Sequence, residues 1–237
     1  MNFDTTHTLH GRVLPVATGM KLANPKLKVI VLAGDGDCIG YRRQPLHPCR
    51  LPEYRPDYDQ YSPATPVGAL STTSPYGMIE GDFDAAKLAI AAGATYVARS
   101  STYHVQHLVD MIAGGITHPG FAVVDTLCQC PNHFGRLNKQ GNAAAMMRGY
   151  RDRCVRVGPV GETAGEAPGQ AAGATGESAA TGGNAGAAVG GSVPVRADLE
   201  KYEGTSRIPI GLLYKAIRPE LTAEYAKMRE AAKAKRP

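Results

Sequence analysis

No run of about eighteen apolar residues occurs in this chain, and Met1-Asn2-Phe3-Asp4 does not open a signal peptide. The sequence therefore predicts a soluble cytoplasmic protein with no membrane partner. No stretch interleaves lysine or arginine with aromatics, so the net charge of +5 carries no nucleic-acid footprint. The basic tail from Lys227 to Arg236 reads as a solvated helix end. Cys38, Cys49, Cys128, Cys130 and Cys154 are an odd number of cysteines without an export signal, which argues against a disulfide framework. No Gly-Lys-Ser/Thr follows a glycine-rich turn, and neither Gly-x-Ser-x-Gly nor His-Glu-x-x-His occurs. A nucleotide P-loop is thereby excluded.

What is present is the apolar run Lys28 to Ala33, followed at once by Gly34-Asp35-Gly36-Asp37. Such a run reads as a strand buried on both faces of a parallel sheet. Its turn would then face the crevice where open α/β sheets bind ligands. Glycines let backbone N–H groups approach a phosphate, and a carboxylate can hold the Mg²⁺ that neutralises it. A metal–diphosphate turn is one reading, and an ordinary Asp/Gly turn after a strand is the other.

Around this turn the chain alternates helix and strand. Val13–Ala23 has helical spacing, with Val16, Met20 and Ala23 on one face and Asn24-Pro25 as the stop. Asp82 or Asp84 is placed to cap a helix over Ala85–Ala92 that ends at Gly93, and Thr95–Ala98 is a short strand. Thr102 is placed to cap a second helix with Val105, Leu108, Val109 and Ile112 as its apolar stripe, ended by Gly114-Gly115. Phe121–Leu127 is the next buried strand. The pattern predicts an α/β fold, a mainly parallel sheet with helices on both faces.

Two segments break the alternation. Cys38–Tyr58 carries prolines at 45, 48, 52 and 56, so an irregular loop is expected where a crossover helix belongs. Residues 157–193 are glycine and alanine with few bulky apolar side chains, the composition of a flexible insert. The expected organisation is a ligand-binding domain over 1–156, that insert, and a C-terminal extension over 194–237. In the extension, Ile208–Leu213 is an apolar anchor, and Pro219–Ala232 a charged helix with a Leu221, Tyr225, Met228 stripe. His7 and His10 read as loop histidines. The Cys128-Gln129-Cys130 spacing is poor for a self-contained zinc site, leaving buried free thiols as the simple reading.

Several of these motifs occur together in one family. Thr6-His-Thr-Leu-His-Gly-Arg12, Ala17-Thr-Gly19, Val29 to Asp37, Ser62-Pro-Ala-Thr-Pro66, Ala98-Arg99, Gln129-Cys-Pro131 and Phe134-Gly-Arg136 fall in its order. In them the chain resembles the β subunit of 2-oxoacid:ferredoxin oxidoreductases, most closely the 2-oxoglutarate type. The resemblance implies a subunit that binds thiamine diphosphate and Mg²⁺, and the thiamine diphosphate-binding fold. It implies oxidative decarboxylation of a 2-oxoacid, with the acyl group passing to coenzyme A and electrons to ferredoxin. An α subunit would be the partner. Carried over by position, Asp35 would ligate Mg²⁺, and Gly34, Gly36 and Asp37 would line the diphosphate. His10 and Arg12 would lie near the cofactor. Cys130 matches a cysteine that gives one ligand to a [4Fe–4S] cluster.

Three departures from the family pattern lead to further expectations. The family's other cluster cysteines precede the point matched by Met1, and Cys130 alone does not hold a four-cysteine cluster. The asparagine that supplies the family's second metal ligand has no counterpart after Asp37. Codons permitted for residues 38–58, read with the first base dropped, can spell A-S-A-I-G-G-N-H-F-I-H-A-A-C-R-N-I-D-L-T-T, the missing family helix. We hypothesise a frameshift after Asp37, which the gene sequence tests directly. Impaired activity is expected. The alternatives are a non-catalytic remnant or interaction protein that keeps the subunit surface without cofactor, and a simple phosphate-binding module.

Overall fold

The computed structural model describes residues 4–9, 11–40, 64–71, 75–79, 81–158, 195–219 and 221–234. Among them no helix is long and apolar enough to cross a membrane. Helix α1 spans Val13–Ala23, and the Asn24 N–H closes it on the Met20 carbonyl at 3.0 Å. Helix α2, Ala85–Ala91, is capped by Asp84, whose Oδ1 accepts from the N–H groups of Ala86 and Lys87 at 2.9 and 3.1 Å. Of the two expected caps, Asp84 is the one that binds.

The sheet follows. β1 (Tyr96–Ser101) and β2 (Ala122–Leu127) pair in parallel, in register from Tyr96↔Ala122 to Ser101↔Leu127. Helix α3 (Val105–Thr117) connects them, and α4 (Ala143–Arg153) leads into β3 (Cys154–Val157). From the C-terminal extension come β4 (Val195–Arg196) and β5 (Ile208–Lys215). The order is β2-β1-β5-β3, with β4 also on β5; β3 runs parallel to β5, while β1 and β4 run antiparallel to it. The class is α/β with a mixed open sheet, two of its described pairings parallel and two antiparallel.

β5 is therefore a central strand, where the sequence suggested only an apolar anchor. Pro209 is tolerated there because β1 reaches only as far as Gly211 along that side. Gly211 sits at φ +141°, and a Cβ there would lie 2.2 Å from the Val157 carbonyl oxygen. The missing side chain is what lets β3 close on β5.

Helices cover both faces, as alternation along β1 makes plain. Val97 joins a buried cluster with Ala86, Ala94, Leu199 and Leu213 on the α2 side. Tyr96 points the other way, and its hydroxyl donates to the Met111 carbonyl of α3 at 2.9 Å. This contact explains a correction. Gly114 and Gly115 do not end α3 but lie within it, and a Cβ at Gly114 would meet the Tyr96 hydroxyl at 2.5 Å. The glycines form the approach face. Val105, Val109 and Ile112, expected in the core, consequently turn outward at 63, 51 and 40% exposure. Thr102 does not cap α3 either; its hydroxyl donates to Gln129 Oε1 at 2.8 Å.

The N-terminal region departs most. Lys28–Ala33 is not a strand: Ile30 is 56% and Leu32 92% exposed. An apolar run becomes a buried strand only when neighbours take its N–H and C=O groups and a layer covers its side chains. Among the described residues it has neither. Lys28 Nζ ties it to the Ile116 carbonyl at the end of α3, at 3.2 Å. α1 likewise buries no residue, and Val16 and Met20 are exposed. The expected irregular loop begins instead with a π-helical turn over Gly36–Gly40, and residues 41–58 lie outside the described residues, as do residues 159–193 of the expected 157–193 insert, whose first residue, Val157, is the last of β3. The C-terminal helix, α5, covers Leu221–Ala234 with Leu221, Tyr225 and Met228 exposed.

Candidate functional site

The acidic turn folds on itself and on the loop before α1. The N–H groups of Asp37 and Cys38 both bond to the Gly34 carbonyl, at 3.1 and 2.9 Å. Asp37 Oδ1 accepts the Gly11 N–H at 2.5 Å across 26 positions of sequence. Gly11 takes a positive φ of 71°, a conformation that glycine adopts without strain, and Arg12 follows as the N-cap of α1. The structure thus gathers Gly34, Asp35, Gly36, Asp37 and Arg12 into one neighbourhood. His10, between Leu9 and Gly11 in sequence, lies outside the described residues.

The space above this turn is open. A Cβ at Gly34 or Gly36 would meet nothing within 4 Å. Asp35 and Arg12 are exposed and Asp37 half-buried. Desolvation of the Cys38 thiol, then the carboxylates of Asp37 and Asp35, hold its pKa above the ordinary value. Hard carboxylate oxygens suit Mg²⁺, which binds through one or two carboxylates and keeps its other positions for water and phosphate oxygens. Among the described residues no group of three His, Cys, Asp or Glu side chains could hold a metal ion. The exposed Asp35 carboxylate and the open backbone at Gly34 and Gly36 are chemically suited to a hard cation and to phosphate oxygens.

Cys130 has other neighbours. It precedes a π-helical turn over Pro131–Gly135, and its carbonyl accepts the Gly135 N–H at 2.8 Å. Cys128 and Cys130 are both exposed, which corrects the reading as buried thiols. They leave the end of β2, so the chain turns away from the sheet before burying them. The Tyr150 hydroxyl donates to the Cys128 carbonyl at 2.9 Å and fastens α4 to this segment.

The same sheet edge holds a pair that sequence reading passed over. Ser100 Oγ and His107 Nδ1 are 2.8 Å apart, as are Ser101 Oγ and His104 Nδ1, and both serines are fully buried. Burial first, then the charge of Arg156, hold both imidazoles below the ordinary value of 6.5. The available signal was two histidines one helical turn apart, directly after a strand end, where α/β sheets collect ligands.

Arg99 is a structural group. Its Nη2 lies 2.5 Å from Asp84 Oδ1 and its Nε 2.7 Å from Asp125 Oδ2, with 6% of the residue exposed. Burial works against charge here, but the two carboxylates outweigh it and raise the guanidinium pKa. Burial would also raise Asp84, but Arg99 and the Lys87 and Ala86 N–H groups hold it below the carboxylate range. This ion triad clamps the start of α2 to β1 and β2.

Comparison with known proteins gives one answer. Residues 1–47 match the family described as thiamine pyrophosphate enzyme, C-terminal TPP binding domain. The 2-oxoglutarate synthase subunit KorB of Methanocaldococcus jannaschii is 41% identical over 167 residues, 65% of this chain and 62% of the relative. That of Archaeoglobus fulgidus is 43% identical over 145 residues, 56% of this chain and 54% of the relative. The 2-oxoacid:ferredoxin oxidoreductase subunit beta of Saccharolobus solfataricus is 39% identical over 141 residues, covering 54% and 46%. The chain spans at most about three fifths of the length of these relatives. A 2-oxoglutarate:ferredoxin oxidoreductase from Magnetococcus marinus, solved with 2-oxoglutarate, coenzyme A and succinyl-CoA bound, superposes with a TM-score of 0.63. Its identity is 26%, over 95% of this chain and 69% of that one. The chain is thus similar in sequence to KorB and to β subunits of 2-oxoacid:ferredoxin oxidoreductases, and in fold to a 2-oxoglutarate:ferredoxin oxidoreductase.

Proposed function

We propose that this chain is the thiamine diphosphate-binding β subunit of a 2-oxoacid:ferredoxin oxidoreductase, with 2-oxoglutarate as the 2-oxoacid. The observation that carries the reading is the Asp37–Gly11 bond, which closes the N-terminal loop onto the acidic turn and sets Arg12 beside it. Asp35 would hold Mg²⁺, the N–H groups around Gly34 and Gly36 would face the diphosphate, and Arg12 would add positive charge. Thiamine diphosphate, when bound, supplies the carbanion chemistry that removes CO₂ from a 2-oxoacid. The chain's own share is to bind and orient it. An α subunit would complete the site, coenzyme A would take the acyl group, and ferredoxin the electrons. Cys130, exposed at the sheet edge, offers one iron–sulfur ligand and needs three more from elsewhere.

A second reading, a subunit remnant that keeps its surface and binds no cofactor, draws on the 92% exposure of Leu32 just before the turn. Calorimetry of the full chain with thiamine diphosphate and Mg²⁺ separates them. Saturable heat that Asp35→Ala abolishes is the expected result. No heat at millimolar ligand favours the remnant, and equal binding of inorganic diphosphate favours a simple phosphate module.

A further inference from the structure

Residues 28–33 pair with no strand, yet their exposure keeps a strand's two-residue period. Val29 and Val31 are half-buried, while Ile30 is 56% and Leu32 92% exposed. Among the described residues, no backbone N–H or C=O of residues 29–33 has a hydrogen-bond partner. The run has no charge after Lys28 and no proline, so it lacks the devices that keep a free strand from pairing. One edge of the sheet lacks them as well. β2 ends the order β2-β1-β5-β3 and contains neither lysine nor proline. Its one charge, Asp125, is turned to Arg99 at 2.7 Å. The opposite edge, β3, is shorter and carries the exposed Arg156.

We propose that residues 28–33 of one chain add as a strand to the outer edge of β2 in a second copy, which returns the same contact. Length fits: β2 has six residues, as does the run from Lys28 to Ala33, and each spans about 20 Å. Position fits too, because Lys28 Nζ holds the run against the end of α3, the helix that leads into β2. A partner of another kind would take up the run and leave β2 open. A copy of this chain satisfies both. Two reciprocal contacts close about a two-fold axis, so assembly stops at a dimer. Ladder bonds supply the contact, as in other additions of a strand to a sheet edge. Residues 34–37 follow the run directly, so the acidic turn of one chain stands at an end of the other copy's β2. Such a dimer needs no cofactor and stands apart from the reading under Proposed function.

The test is sedimentation of the full chain over a wide range of concentration, where the mass should double as monomer passes to dimer. Ile30→Pro combined with Val31→Pro removes the ladder N–H, whichever of the two residues turns its own towards β2. It breaks no bond within the protomer and should raise the concentration for half-dimerisation at least about tenfold. Leu221→Ser combined with Tyr225→Ser, which removes exposed apolar groups from α5, should leave that concentration unchanged. Hydrogen exchange of the wild-type dimer should protect residues 29–33 together with the outward amides of β2, a readout that does not depend on how the proline variant folds. A chain that stays monomeric, an assembly larger than a dimer, equal loss in both variants, or protection of the run without β2 overturns the proposal. So does protection of the run that arises only when an α subunit is added, which assigns the run to that partner.

Discussion

Residues 13–37 and 85–101 are built from the same parts in the same order, a helix, a short connection and an apolar run, yet reach opposite states. In the second, Val97 and Ala98 are fully buried and Arg99 is gripped by two carboxylates. In the first, α1 buries nothing and Leu32 stands 92% exposed. Asp84 caps α2 while no side chain caps α1, but a cap does not decide the fate of the run that follows. Partners do: β1 lies between β2 and β5 and beneath both α2 and α3, while the run from Lys28 reaches α3 through one lysine. A strand is a relation between segments, and its sequence supplies only one side of it.

The largest effect should come from Arg99→Ala. It leaves Asp84 and Asp125 with no shared counter-charge, and breaking a buried ion pair costs roughly 3–5 kcal/mol. Urea unfolding followed by far-UV circular dichroism should show the loss; a change below about 1 kcal/mol would mean that the clamp is not what separates the two regions.

A smaller effect should follow pH, again confined to the sheet region. Burial holds His104, His107 and His118 below the ordinary value of 6.5, with Arg156 adding to the first two and Lys215 to the third. Their folded forms bind protons less readily than the unfolded chain. The contribution is full above 6.5 and is lost as pH falls below it towards the depressed folded values. Asp84, lowered from 3.8, adds a second loss in strong acid, as pH falls through its usual value towards its folded one. Unfolding midpoints taken from pH 8 to pH 5 should therefore decline, and a midpoint that rises towards pH 5 refutes the assignment.

The smallest effect belongs to the N-terminal region. Leu32→Ser should change stability by less than about 0.5 kcal/mol, because the side chain already faces water. A loss of about 2 kcal/mol or more would place Leu32 in a core, as a buried strand requires.

Much of this was legible along the chain. α1, α2, β1 and β2 stand where periodicity and caps put them, because an amphipathic helix and a β-branched run carry their own local signal. Gly34, Asp35, Gly36 and Asp37 were legible as a turn of suitable chemistry, although its link to Gly11 spans 26 positions and no local pattern announces it. Gly114 and Gly115 read as a stop and act as a contact face, since only Tyr96 on the sheet tells the two apart. Cys128 and Cys130 read as buried because free thiols usually are, while the sheet edge turns them outward.

The sequence by itself determined the family resemblance and the acidic turn with its oxygen donors. These are properties of residue identity and short spacing. Only the tertiary structure decided that Ile208–Lys215 is a central strand, that α3 presents glycine to the sheet, and that the run before Gly34 is exposed. Each depends on what another segment contributes across space, through ladder bonds, a covering layer or a counter-charge, and no window of sequence contains both sides of such a contact.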